Sequence, residues 1–336
     1  MMMKLSICII GCGGYARNVL HDIHDMTDQF EFYFASRDIK KARRYSQEFG
    51  GAGFFGDYEE AVADPNIQSL YFFTPHHIHL ANVELAAQYG KHILMEKPIA
   101  RSVREAQTIV AAAHDAGVKL MIAENYRFLS TVDKAREIMD QGPIGDSIGE
   151  LRQLDISAQG YHEPQGWRRS AEMNGGGVFI DGGIHFVDIM LNLGGFPESV
   201  HAIQPPQLFT DVEGEDSMVM TARLPEGVPA TINFSRSTPV RENPPMVHLT
   251  GTKGKLSFAP NGTELSIENL QERRTVQVPA PRRGVRQMVS EFRKAIQDDR
   301  EPVMSGHEAI RDLAIVLAAY ESARTGQAVP LIEPKL

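Results

Sequence analysis

Residues 5–16 read LSICIIGCGGYA, six mostly apolar residues followed at once by a glycine-rich turn. The run Leu5 to Ile10 has almost no polar alternation, the pattern of a strand covered on both faces of a parallel sheet. Gly11-Cys12-Gly13-Gly14-Tyr15-Ala16 then opens a helical stretch, so the glycines stand where a strand passes into a helix N-terminus. Gly11 permits a tight turn, and Gly13 lets backbone N–H groups approach a pyrophosphate at the positive end of the helix dipole. Ala16 takes the third glycine place, where a methyl is small enough for helix-to-strand packing. Such a turn gains weight only from its surroundings.

The surroundings repeat it. Short apolar segments at Leu5 to Ile10, Glu31 to Ala35, Gly53 to Phe55, Ser69 to Thr74, His92 to Met95 and Lys119 to Glu124 alternate with amphipathic stretches, which predicts βαβ units and a parallel sheet. Helix starts are marked where a side-chain acceptor precedes a Glu by three residues: Asp57 with Glu60, Ser102 with Glu105 and Ser305 with Glu308. After Glu124 the rhythm changes. Helical stretches at Thr131 to Gln141 and Gly175 to Leu193 accompany strand-like runs at Gly149 to Ala158, Asp216 to Leu224, Ala230 to Ser235, Met246 to Thr250, Lys255 to Phe258 and Thr275 to Val278. Their short connections predict an antiparallel sheet. Helices at Val285 to Gln297 and His307 to Thr325 close the chain. The expected fold is α/β plus α+β: a dinucleotide-binding Rossmann domain over residues 1–124, and a domain over residues 125–336 with an open antiparallel sheet.

Composition narrows the partners. At 336 residues and 42% hydrophobic content the chain fills two cores, and its net charge of −9 leaves no basic footprint for nucleic acid. The start leads straight from a lysine into a buried strand rather than a leader, and no segment approaches membrane-spanning length. Cys8 and Cys12, the only cysteines, flank no loop and match no zinc site. A reduced, cytoplasmic protein is expected.

The second strand ends in Ala35-Ser36-Arg37, where a ribose-binding acid often stands. Ser36 removes a carboxylate that would repel a 2′-phosphate and Arg37 offers a fork of donors, so NADP is favoured over NAD. Further on, residues 175–188 read GGGVFIDGGIHFVD. On a helix, Asp181, His185 and Asp188 project from one face. A carboxylate beside an imidazole fixes its tautomer and leaves the other nitrogen to take a proton. His76, His77 and His79 lack a carboxylate at ligand spacing, so no metal is expected.

Several separated motifs together resemble the glucose-fructose oxidoreductase and inositol dehydrogenase (Gfo/Idh/MocA-type) family of NAD(P)-dependent oxidoreductases. They are Gly11 to Ala16, Thr74 to His79, Gly90 to Pro98, Asn125 to Phe128, Trp167-Arg168 and Gly175 to Asp188, in that order over nearly the whole chain. The resemblance implies that Lys97, in Glu96-Lys97-Pro98, is the catalytic lysine, that His185 is the general base and that Asp181 orients it or binds substrate, with Asp188 structural. It implies cofactor contacts from Gly11, Cys12, Gly13, Gly14, Tyr15, Ala16, Ser36, Arg37, Thr74, Pro75, His76, His79, Glu96, Lys97, Asn125, Trp167 and Arg168. Tyr126, Arg127, Tyr161 and His162 are expected to join Lys97, Asp181 and His185 around a polyol, with loops Gln159 to Ser170 and Ser237 to Pro245 shaping the pocket. Glycines 175–177 would let the helix start come close under the nicotinamide. The sheet of the second domain would assemble homodimers or homotetramers. Val285 stands where relatives often carry a tyrosine. Three activities fit: hydride transfer to or from a secondary carbinol, glycoside hydrolysis through transient oxidation and elimination, and non-catalytic nucleotide binding.

Overall fold

The structure is a computed structural model, describing residues 4–140, 148–240, 244, 246–280 and 282–334. Most of loop 237–245 is described, but 241–243 and 245 lie outside these residues, as does Gln141. The chain forms two compact units. One comprises residues 1–124 and 285–310, the other 125–284 and 311–336.

In the first unit β1 (Leu5–Ile10), β2 (Phe30–Ala35), β3 (Gly53–Phe55), β4 (Ser69–Phe72), β5 (His92–Glu96) and β6 (Leu120–Ala123) form an all-parallel sheet in the order β3-β2-β1-β4-β5-β6. Every residue of β1 is buried, as its unbroken apolar run requires of a strand covered on both faces. Strand order reverses between β1 and β4, the switch point at which open α/β sheets bind ligands beyond the strands' carboxyl ends. The loops leaving β1 and β4 touch there: Gly11 has φ +101°, and a Cβ on it would stand 2.9 Å from the Phe73 carbonyl oxygen.

The helix Val285–Gln297, expected in the second domain, belongs to this first unit. Arg286 donates to the Asp22 carbonyl at 2.9 Å and pairs with Asp25, and Ser290 donates to Gln29 at 3.3 Å. Ile122 N–H also donates to the Met304 carbonyl at 2.9 Å, so residues 304–305 cover the free edge of β6.

Among the described residues the second unit holds nine strands: β7 (Leu151–Gln159), β8 (Ser199–Ile203), β9 (Ser217–Arg223), β10 (Pro229–Ser235), β11 (Met246–Gly251), β12 (Lys255–Phe258), β13 (Glu264–Glu268), β14 (Arg273–Gln277) and β15 (Val329–Pro330). Their order is β14-β13-β12-β11-β7-β10-β9-β8-β15. The sheet is mixed rather than purely antiparallel, because β7 and β10 pair parallel. From β9 to β14 the connections between successive strands are too short for a crossover, but β7 pairs with a strand some 70 residues on, and the helical segment between supplies one. Leu154, Ile156, Met220, Ile232 and Phe234 form the buried face beneath the helix Ile184–Gly194, with the Phe186 and Phe234 rings 5.8 Å apart. Residues 171–194 are as long and apolar as a membrane-spanning helix, contrary to the sequence expectation, but most of that stretch is buried inside the fold.

Replacing Gly11 by Ala forces a left-handed residue against a carbonyl and is expected to cost on the order of 1–3 kcal/mol, read as a lower denaturant midpoint. An unchanged midpoint would show that the β1 and β4 loops part freely.

Candidate active site

The glycine turn opens the helix Gly14–Ile23. Gly13 provides no side-chain cap, no acidic residue stands in the first turn, and a Cβ on Gly13 or Gly14 would meet no atom within 4 Å. Protein packing therefore does not require glycine at either position. What glycine leaves there is open backbone N–H at a helix N-terminus, the cradle a pyrophosphate needs. Tyr45 fixes the turn from behind by donating to the Gly13 carbonyl at 2.9 Å, and Ala16 is fully buried as the third small residue. Cys12 is no nucleophile: it is buried, its Sγ faces the Ala35 carbonyl at 3.7 Å, and burial pushes its thiol up to about 12. Tyr15 is exposed, its ring 6.1 Å from that of Phe73. At the end of β2, Ser36 accepts the Asp38 N–H at 3.2 Å, and Arg37 is exposed with its charge beside the Tyr58 phenol.

Beyond β4 and β5 the side chains are more committed than their motifs suggest. His79, expected against the dinucleotide, is 0% exposed. Its Nδ1 lies 3.0 Å from the Pro98 carbonyl and its Nε2 3.1 Å from that of Thr74. It lies between the loop after β4 and the Lys97-Pro98 turn, and as a neutral ring it donates to one of those two carbonyls. Burial outweighs those carbonyls and pushes the ring down to about 4, so it stays neutral. Thr74 accepts from Asn82 at 2.7 Å, and buried Glu96 accepts the Tyr71 hydroxyl at 2.8 Å. Pro75 and His76 begin the short turn between, His76 buried 5.6 Å from the His79 ring, and Nδ1 of His77 is buried without a partner among the described residues. Lys97 is half-buried at the carboxyl end of β5. No His, Cys, Asp and Glu cluster suited to a metal ion occurs among the described residues.

In the second unit the helical stretch begins with a π turn, Phe179–Gly183, before the α-helix Ile184–Gly194. A π turn inserts an extra residue, so the regular 3.6-residue stripe of the sequence reading is broken at Asp181. The three polar residues face three different partners. Asp181 accepts from Arg168 Nε at 2.9 Å, and that guanidinium lies 4.4 Å over the Trp167 ring. His185 stacks on Tyr126, the rings 4.3 Å apart and 13° from parallel. Asp188 takes a forked pair of bonds from Arg127, with Nε at 3.0 and 3.1 Å from its two oxygens. Tyr126 and Arg127 both come from the turn Asn125–Phe128, so one short element clamps the helix at two levels. Arg127, Arg168 and Asn125, expected at substrate or cofactor, each have a partner within the protein: Asn125 donates to the Arg283 carbonyl at 2.6 Å. Tyr161 is 56% exposed against the Phe209 edge, and exposed His162 donates its N–H to the Arg236 carbonyl at 2.8 Å.

Sequence reasoning missed Arg236. Its guanidinium lies 5.1 Å over the Phe234 ring and beside Gly182, where a Cβ would stand 3.2 Å from Nη2. The Gly182-Gly183 doublet inside an apolar helical run was the available signal, since such glycines mark close approach.

An oxidoreductase-family model for an NAD-binding Rossmann fold matches residues 5–124, and one for that family's C-terminal alpha/beta domain matches residues 144–331. The chain belongs to the Gfo/Idh/MocA oxidoreductase family. Among members of the family, 1,5-anhydro-D-fructose reductase of Ensifer adhaerens is 28% identical over 305 residues, 88% of this chain and 89% of its own. D-xylose 1-dehydrogenase (NADP(+)) 2 of Haloferax volcanii is 28% identical over 307 residues, 88% and 90% of the two chains. A structure of levoglucosan dehydrogenase with NADH and levoglucosan superposes with a TM-score of 0.88 over 99% of this chain and 100% of the other, at 22% identity, and shows the shared fold.

The Arg127–Asp188 pair is 11% and 0% exposed at its side chains. Removing one partner strands a buried charge, so Asp188→Asn or Arg127→Met is expected to destabilise by about 3–5 kcal/mol, while an apolar replacement of both recovers most of it. Chemical denaturation of the two single variants and the double variant reads the asymmetry, and equal losses in all three would contradict it.

Proposed function

We propose that this member of the Gfo/Idh/MocA family interconverts a secondary alcohol and ketone on a sugar, cyclitol or related polyol, with His185 as general base and acid, Lys97 stabilising the oxyanion and Asp181 orienting the reactive groups. The bound nicotinamide supplies hydride acceptance and donation. The observation that carries the reading is the His185 imidazole, held flat against Tyr126 one turn beyond an Asp181 carboxylate that Arg168 fixes. Stacking fixes the plane in which the ring nitrogens exchange a proton with a hydroxyl, and a carboxylate anchored by a guanidinium keeps its direction while charge moves nearby. Lys97, on the Pro98 turn braced by His79, offers an ammonium to the oxygen on which negative charge develops. The relatives named for reactions on anhydrofructose and xylose support the substrate class.

For the cofactor we favour NADP over NAD, held by residues 11–16 with Ser36 and Arg37 at the ribose. The open N–H groups at Gly13 and Gly14 fit the pyrophosphate, and exposed Arg37 fits a 2′-phosphate. Assembly through the second sheet as a homodimer or homotetramer, and a cytoplasmic setting in keeping with two free, buried cysteines, belong to the same proposal.

Lys97→Ala and His185→Ala are each expected to lower kcat by 10²-fold or more in a screen of aldoses, inositols and anhydro-sugars with both cofactors. Retention of turnover within about tenfold of wild type in either variant would remove that residue from the mechanism. Release of a chromogenic aglycone without net cofactor change would instead indicate the eliminative hydrolase, and cofactor binding without turnover on the panel a binding protein.

Arg37→Ala is expected to weaken NADP roughly tenfold, the worth of one charge-assisted phosphate contact, and to leave NAD unchanged in fluorescence titrations. Tighter binding of NAD than NADP by the wild type would overturn the preference.

A further inference from the structure

The residues 175–177 read GGG just ahead of the helix that carries Asp181 and His185, and the structure gives these glycines a purpose other than approach to a nicotinamide. A helix start leaves its first backbone N–H groups without intrahelical partners. Here four consecutive ones are satisfied by two distant residues. The N–H of Gly177 donates to the Tyr320 hydroxyl at 3.2 Å and that of Ile180 at 3.0 Å. The N–H of Val178 donates to the Glu215 carbonyl at 2.8 Å and that of Phe179 to Glu215 Oε1 at 2.7 Å. Tyr320 closes the set by donating its own hydroxyl to Glu215 Oε1 at 3.0 Å. Only glycine admits this arrangement. A Cβ on Gly176 would stand 2.6 Å from the Tyr320 oxygen, and one on Gly177 would stand 2.2 Å from both the carbonyl oxygen and Oε2 of Glu215.

We infer that Glu215 and Tyr320 are positioning residues for the candidate active site, fixing the start of the helix so that Asp181 and His185 keep their directions. The inference rests on the proposed roles of Asp181 and His185. Asp181 lies in the π turn directly after the four anchored N–H groups, and a π turn has poorer hydrogen bonding of its own to hold it. A side-chain cap from the preceding residue is absent, since Val178 supplies none. The donors of the anchor favour a carboxylate: the Phe179 amide and the phenol both meet Oε1, and the Gly177 and Glu215 amides add to them. Burial opposes them and pushes Glu215 up to about 7. Of the groups facing it, Tyr320 is the titratable one, itself pushed well above its ordinary range by burial, and the others are backbone amides.

The test compares Glu215→Ala, Glu215→Gln and Tyr320→Phe in the full-length chain. Two readouts do not depend on turnover: hydrogen exchange of residues 177–185, and the imidazole NMR titration of His185. Glu215→Ala and Tyr320→Phe are expected to speed exchange by tenfold or more and to displace the His185 titration. Glu215→Gln, which keeps the accepting oxygen, restores both. On a substrate found in the screen, the Ala variant is expected to lose 10- to 100-fold in kcat with cofactor affinity unchanged, and the Gln variant to recover most of it. Exchange within twofold of wild type in the Ala variant overturns the anchor. Faster exchange with an unmoved His185 titration reduces the pair to a structural cap and overturns the positioning role. If the wild type turns over no sugar, the functional reading fails while exchange and titration still decide the anchor.

Discussion

The ion pair between Arg127 and Asp188 governs the geometry of the second unit's polar centre. Its carboxylate is wholly buried, and such pairs contribute little net stability because desolvation offsets much of the Coulomb attraction. Their use lies in register. A guanidinium fork has one good approach to a carboxylate, so the turn Asn125–Phe128 can meet the helix Ile184–Gly194 at only one level. That level brings the neighbouring Tyr126 ring flat onto His185, three residues before Asp188. An apolar contact between the same elements would tolerate sliding and would leave the imidazole free to rotate. The pair is thus a positional constraint on a titratable ring, carried by two residues that need never touch a ligand.

The same logic recurs with His79. A wholly buried imidazole is a costly way to fill space, but its two nitrogens reach two backbone carbonyls nineteen and five residues away. Those carbonyls belong to the turn after Lys97 and to the loop after β4. By remaining neutral under burial the ring avoids an uncompensated charge beneath Lys97, whose own charge opposes protonation of the ring.

The parallel sheet was legible to within about two residues because β1, β4 and β6, covered on two faces, are mostly apolar runs, and the partly exposed β2 and β3 are marked by their place in the strand–helix alternation. The second sheet was legible only strand by strand. Glu264–Glu268 escaped notice although Asn261-Gly262 marks a turn before it and its alternate residues are buried, and Ser199–Ile203 and Val329–Pro330 are too short to stand out. The parallel pairing of β7 with β10 depends on contacts far apart in sequence, which local periodicity does not encode. Site residues divide in the same way. The glycine turn, Asp181 and His185 announce themselves by motif, whereas Arg127 and Arg168 look like solvent-facing polar residues until a carboxylate from another segment is seen to meet each. The π turn leaves no trace in composition.

Several helix starts are completed by the protein's own acceptors, whereas the start after β1 is left open. Around the parallel sheet, the helices beginning at Ile39, Tyr58 and Val103 each follow an extended residue whose side chain caps them: Asp38, Asp57 and Ser102. In the second unit the start at residues 177–180 is completed from a distance by Glu215 and Tyr320. The helix beginning at Gly14 also follows an extended residue, yet Gly13 offers no cap and nothing fills the space beside it. Capping there with Ser or Asp would add about 1 kcal/mol to the helix and would place a competing acceptor where a phosphate must go. The chain forgoes that stability at the start that follows β1 at the topological switch point, so the missing cap is best understood as space kept for an anionic ligand.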